Sequence, residues 1–144
     1  MRLSENFTVE EATRSNKAIS LNIDNSLSTE KLLNAEYFAK NILQPLRSKI
    51  GIPFIISSWY RCPALNKAVG GVSTSAHLSA MAIDFKLYGK TSKQTYDIIL
   101  KAINFFNIDY DQLIEERNTK TNSTWVHLGV KKLGNRNQHF KLEV

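Results

Sequence analysis

Ser75-Ala76-His77-Leu78-Ser79-Ala80-Met81-Ala82-Ile83-Asp84-Phe85-Lys86-Leu87 holds a histidine and an aspartate seven positions apart, the second inside an apolar alternation. Side chains of a strand alternate between its two faces. Over Ala82–Leu87 this puts Ile83, Phe85 and Leu87 on one face and turns Asp84 to the other, with Ala82 and Lys86. The same rule applied to Trp125-Val126-His127-Leu128-Gly129-Val130 sends Val126, Leu128 and Val130 to the core and His127 away from it, with Trp125. Two strands thus offer a ligand from their non-core faces, and His77 precedes the first.

Tyr110 to Glu116 reads as the hairpin partner of the His127 strand, joined to it by the polar loop Arg117 to Thr124. Phe54-Ile55-Ile56-Ser57-Ser58 reads as a short buried strand that leads into Trp59-Tyr60-Arg61, and Asn66 to Ser75, with Gly70-Gly71, as a polar loop able to approach a ligand. Helices come first in the chain. Thr8 and Glu11 form a capping-box signature for a short helix to about Arg14. Leu32, Ala35, Ala39, Ile42, Leu46 and Ile50 recur at helical steps, which predicts one long amphipathic helix from Ser28 or Thr29 to about Lys49, kinked or divided by Pro45 and stopped by Gly51-Ile52-Pro53. Ser92 to about Phe106 is a second amphipathic helix, whose Tyr96, Ile99, Leu100, Ile103 and Phe106 belong to the core.

The chain's 144 residues suit a single domain, 1–144, and 42% hydrophobic against 22% charged residues is ordinary globular composition. A single cysteine, Cys62, excludes an internal disulfide; it reads as a small, partly buried thiol, or as a reactive one beside Arg61. A net charge of +6 favours acidic partners such as nucleic acid, anionic membranes or bacterial cell wall. The basic residues are scattered and show no nucleic-acid-binding motif, so a nucleic-acid partner is not expected. No apolar leader segment and no stretch of membrane-spanning length is evident, which implies synthesis in the cytoplasm without a signal peptide.

His77, Asp84 and His127 are the ligand types zinc takes when it keeps a fourth position for a water whose pKa falls to about 7. Hydrolysis also needs a base and donors for the developing oxyanion. Glu115 and Glu116 are candidate bases; neighbours on a strand face opposite ways, so only one can point at the metal. Arg61 is a candidate to polarise the scissile carbonyl or grip a substrate carboxylate. The alternatives are structural: His77 and Asp84 as loop caps, His127 as a half-buried hydrogen-bonded histidine, the two glutamates as a solvated pair. His139 lies in a polar stretch and reads as surface.

Ser58-Trp59-Tyr60-Arg61-Cys62-Pro63-Ala64-Leu65-Asn66 to Gly70-Gly71, Ser75-x-His77 to Asp84, Asp111-Gln112-Leu113-Ile114 and Trp125-Val126-His127 together resemble the M15 zinc peptidases, which are D-Ala-D-Ala carboxypeptidases and related peptidoglycan endopeptidases. Leu3-Ser4-Glu5-Asn6-Phe7-Thr8 and Leu43-Gln44-Pro45-Leu46-Arg47 resemble their phage and prophage branch. The resemblance implies an α+β fold, shared with the Hedgehog signalling domain, with helices packed on a small antiparallel sheet. It implies zinc on His77, Asp84 and His127, Glu116 as base, Arg61 as stabiliser of the tetrahedral intermediate, and substrate contacts by Ser75, Arg61, Trp125 and Gln112. The expected partner is a peptidoglycan stem peptide, met by a monomeric enzyme that acts on the wall during phage lysis or from a virion. Three positions depart from the pattern. Ser123, Thr124 and Trp125 stand where many relatives have a Glu before the last His, Ala80 replaces a common Gly, and Cys62 replaces a Ser. The empty glutamate position motivates a rival expectation, a non-catalytic zinc-stabilised phage structural or binding module.

Overall fold

The computed structural model describes residues 1–144. A two-stranded hairpin, β1 (Arg2–Ser4) and β2 (Phe7–Thr8), opens the chain, and Thr8 then caps α1 (Val9–Thr13) through the capping box foreseen with Glu11. Ser15 caps the short α2 (Asn16–Ser20). The helix expected from residue 28 or 29 to 49 runs from α3 (Thr29–Phe38) into α4 (Gln44–Ile50) without a break, through a π-helical turn at Ala39–Leu43. Pro45 explains that turn. It has no N–H to donate and its ring crowds the preceding turn, so the helix widens just ahead of it and the Gln44 N–H bonds to Ala39, five residues back.

Five strands form the main sheet in the order β3-β4-β6-β5-β7: β3 (Phe54–Ser58), β4 (Ala82–Leu87), β5 (Gln112–Arg117), β6 (Thr124–Gly129) and β7 (Gln138–Glu143). The first four pair antiparallel, and β7 joins β5 in parallel. The expected α+β fold is thus present. Three local expectations need correction. β3 is an edge strand rather than a fully buried one, so Phe54 and Ile56 are buried while Ile55 is exposed. The segment expected to loop from Asn66 instead begins inside helix α5 (Pro63–Ala68), because Pro63 at the first turn preorganises a helix there. In α6 (Ser92–Phe106), Tyr96, Ile99 and Ile103 are buried as expected, but Phe106 at the last turn is exposed, with the Lys49 ammonium 4.6 Å from its ring centroid.

The core lies between the helices and the Ile83–Phe85–Leu87 face of the sheet. Its centre is aromatic: Phe54 stacks on Phe85 at 4.9 Å, while Phe7 and Phe38 meet Trp59 edge-on at 6.2 and 5.9 Å. Trp59 is wholly buried, and its Nε1–H donates to the Ala80 carbonyl at 2.8 Å. That bond pins the connection carrying His77 to the core.

Candidate metal centre

Sheet register arranges the non-core face as a grid. Asp84 lies opposite His127, His127 opposite Ile114, and Ile114 beside Phe140, one row across four strands. The row toward the hairpin turn holds Trp125, Glu116 and Leu142, and the row on the other side Ala82, Gly129, Gln112 and Gln138. This register answers the parity question left by the sequence. Glu116 shares the face of His127, whereas Glu115 pairs with Val126 on the reverse face, where Lys141 Nζ lies 3.7 Å from it.

His77 comes from outside the sheet, on a 3-10 turn (Ala76–Ser79) that follows a loop from α5. Ser75 caps this turn by accepting the His77 N–H at 3.2 Å, and Ala80 ends it with φ 60 and ψ 24. Ala80 therefore occupies the left-handed region that favours the expected glycine, a strain of about 1–2 kcal/mol held by its complete burial. The turn delivers the His77 ring to the end of the Asp84 row.

The three ligand atoms lie within 4.8 Å of one another. Asp84 Oδ1 is 3.2 Å from His77 Nε2 and 3.1 Å from His127 Nδ1. Ligands about 2.0–2.1 Å from a tetrahedral zinc stand about 3.3 Å apart, so these two spacings suit an ion among them. The other ring atom of His77 strengthens that fit. Its Nδ1 lies 2.6 Å from the Trp59 carbonyl, which can only accept, so Nδ1 carries the proton and a neutral ring turns the bare Nε2 lone pair toward the carboxylate. Lone pairs that face each other in a buried site need a positive charge among them, either a proton or a metal cation. Gly129 leaves the room: a Cβ there would stand 3.2 Å from His127 Nε2.

Asp84 uses its second oxygen elsewhere. Oδ2 accepts from Arg61 Nη2 at 3.1 Å, while Arg61 Nε donates to Ser58 Oγ at 3.1 Å and Nη1 to Asn66 Oδ1 at 3.3 Å. Burial opposes the charge of Asp84, yet in the metal-free site the positive charge and N–H donation that His77 and His127 can offer outweigh it and hold its carboxyl well below the ordinary range. Glu116 moves the other way. Burial pushes its carboxyl up and the charge of Asp84 adds to the effect, although Glu116 Oε2 accepts from Trp125 Nε1 at 2.9 Å. Two carboxylates on one face are thus driven apart in acidity, a pattern typical of catalytic sites.

The remaining expected site residues are placed as follows. Gln112 is on the site face and bonds to Gln138 at 3.2 Å. Cys62 is half-buried and outside the cluster. His139 is exposed, with Nδ1 3.1 Å from the Tyr110 hydroxyl. Sequence reasoning overlooked the residues that hold Arg61. Buried Asn25 donates to the carbonyls of Thr13 and Tyr60, each at 3.0 Å, and accepts the Cys62 N–H at 2.8 Å, clamping the chain on both sides of the arginine. Asn66 bonds Arg61 and the Val72 carbonyl, and the side chain sits where a Cβ on Gly71 would collide with it. A lone Asn far from the motifs carries no periodic signal, so nothing in the sequence marked Asn25.

No helix of the protein is long and apolar enough to cross a membrane. No curated protein matches the chain. The model of the Peptidase M15 family matches it over residues 5–128, a span that takes in His77, Asp84, His127, Arg61 and Glu116. Members of that family are metal-dependent peptidases, and the buried His–Asp–His cluster fits a metal site. With most of its length matched, this chain belongs to the Peptidase M15 family.

Proposed function

We propose that residues 1–144 form a single zinc peptidase domain that hydrolyses D-amino-acid-containing peptide bonds of bacterial peptidoglycan, held by His77, Asp84 and His127 as metal ligands. The observation that carries this reading is the convergence of three ligand atoms on one point, with Glu116 on the same sheet face one row away. Imidazole and carboxylate ligands suit zinc, which supplies Lewis acidity and lowers the pKa of a water to about 7.

The protein's own groups then divide the work. Glu116 takes a proton from the attacking water as its oxygen bonds to the scissile carbonyl carbon, and returns that proton to the departing amine as the C–N bond breaks. Its raised pKa suits both transfers, since the carboxyl can hold the proton between them. Arg61 spends three of its five N–H groups on Ser58, Asn66 and Asp84, which leaves two for the oxygen on which charge develops. Ser75, Trp125 and Gln112 border the approach to the site and supply substrate contacts. The net charge of +6 suits an anionic wall, reached by a monomer released in phage lysis or carried by a virion.

The test is release of D-alanine or stem peptides from purified cell walls by protein carrying one zinc per chain, abolished by chelation. Glu116→Gln should retain zinc and lose about 10²–10⁴-fold in kcat. Zinc-replete wild type that leaves every wall preparation intact would instead support the non-catalytic module.

A further inference from the structure

Beside the metal centre, on the side of the edge strand β3, lies a cavity of about 270 Å³ walled by α2, the end of β3 and α5. Arg61 belongs to both places: it lines the cavity, and its Nη2 donates to Asp84 at 3.1 Å. The facing wall is held in position. The Ala12 carbonyl accepts the Tyr60 N–H at 2.9 Å, and buried Asn25 ties the Thr13 carbonyl to Tyr60 and Cys62, so the start of α2 is fastened alongside the arginine.

The lining is cationic and supplies hydroxyl donors. No acidic residue lines the cavity, whereas Lys17 and Arg61 both do. Arg61 already has Asp84 as its carboxylate, but exposed Lys17 pairs with none. Ser58 Oγ accepts from Arg61 Nε, and Ser15 Oγ accepts the Ala18 N–H at 3.1 Å, so each hydroxyl keeps its own proton to donate. Leu65 and Val69 make the apolar part of the wall. A cation with hydroxyl donors, no competing carboxylate and an apolar wall suits a carboxylate carried on a short aliphatic residue. The space is small beside the roughly 300–1,000 Å³ of pockets that enclose drug-sized ligands, which limits the occupant to a small part of a larger substrate.

We infer that this cavity is an anion subsite of the peptidase, in which Lys17, with the Ser15 and Ser58 hydroxyls, receives a free carboxylate of the peptide being cut. The inference rests on the peptidase reading above. Position supports it, because Arg61 reaches from the cavity to a metal ligand, so a peptide whose scissile carbonyl sits at the metal has the cavity within one side chain's length. Lys17 is then a specificity residue that selects substrates by charge and takes no part in the chemical step. Its exposure screens it, so the preference it confers should weaken with added salt.

The experiment uses soluble stem peptides released from purified cell walls, either untreated or with their carboxylates converted to methylamides. Zinc-loaded wild type should favour the untreated peptides by about tenfold in kcat/KM. Lys17→Met, which keeps an unbranched side chain and drops the charge, should lose about fivefold on the untreated peptides through a higher KM, with kcat and bound zinc kept, and should converge with wild type on the methylamides. Lys17→Arg, which keeps the charge, should retain most of the preference. An equal preference in wild type and Lys17→Met would overturn the assignment to this cavity, and wild type that cleaves both peptide sets alike would overturn the carboxylate. Zinc-loaded wild type that cleaves neither set would overturn the peptidase reading and the inference with it. Inhibition by inorganic phosphate that Lys17→Met escapes, with the carboxylate preference unaltered, would assign the cavity to a free anion and overturn the inference as well.

Discussion

Glu116 and Asp111 show how two carboxylates on one strand region acquire opposite pH behaviour. The Glu116 carboxyl is raised, chiefly by burial. It can act as a base only when ionised, so kcat/KM should fall as pH drops through the Glu116 pKa, at a pH where zinc is still bound, and Glu116→Gln should lack that acid limb. A raised folded pKa also means that ionisation costs stability once pH exceeds the unfolded value of about 4.3. Metal-free Glu116→Gln should therefore melt no lower than wild type at pH 7, and a lower melting temperature would contradict the burial argument. Asp111 is held low by Arg136, whose Nε and Nη2 donate at 3.0 and 2.8 Å. Its contribution is complete above the unfolded pKa of about 3.9 and is lost as pH falls through the lower folded value. Melting curves of Asp111→Asn should show a lower transition at neutral pH and a smaller loss on acidification.

At the scale of elements, the segment from Trp59 to Ala80 converts core packing into site geometry. Trp59 offers its indole N–H to Ala80 and its carbonyl to His77, so both ends of the ligand turn hang on one buried residue. Trp59→Phe leaves the Ala80 carbonyl without its partner and should cost about 1–3 kcal/mol, read by denaturant titration. Ala80→Val places a branched side chain in the left-handed region of a closed site and should cost more than Trp59→Phe; an equal or smaller loss would show that the turn relaxes freely. The strands bearing Asp84 and His127 were legible because their apolar residues alternate with a second face, which carries Asp84 and Lys86 in one strand and Trp125 and His127 in the other. The Glu115 and Glu116 alternative was not, because parity depends on pairing register, which links residues across the hairpin. β7 escaped notice for a related reason: its apolar residues face away from the core, and a polar stretch with two apolar positions resembles a loop. The π turn before Pro45 was foreseen only as a kink or a division, since sequence marks where the hydrogen bond is lost but not how the helix absorbs it.

For the whole molecule, the site joins three separate parts of the chain: the sheet supplies Asp84, His127 and Glu116, the α5-to-β4 connection supplies His77, and the segment after β3 supplies Arg61. A cation among them ties these parts together only in the folded chain. Bound metal at one hundred times its dissociation constant should add about 2.7 kcal/mol of stability, and a chelator should lower the melting temperature accordingly. Two ligands are buried and the third half-buried, so removal of any one strands the others without compensation. The most direct measurement of the central claim is metal content after equilibration with zinc and removal of the excess, made on folded wild type and on folded Asp84→Ala. The account requires one zinc per wild-type chain and none in the variant; wild type that binds no zinc, or a variant that keeps it, would contradict the assignment of His77, Asp84 and His127 as one metal centre.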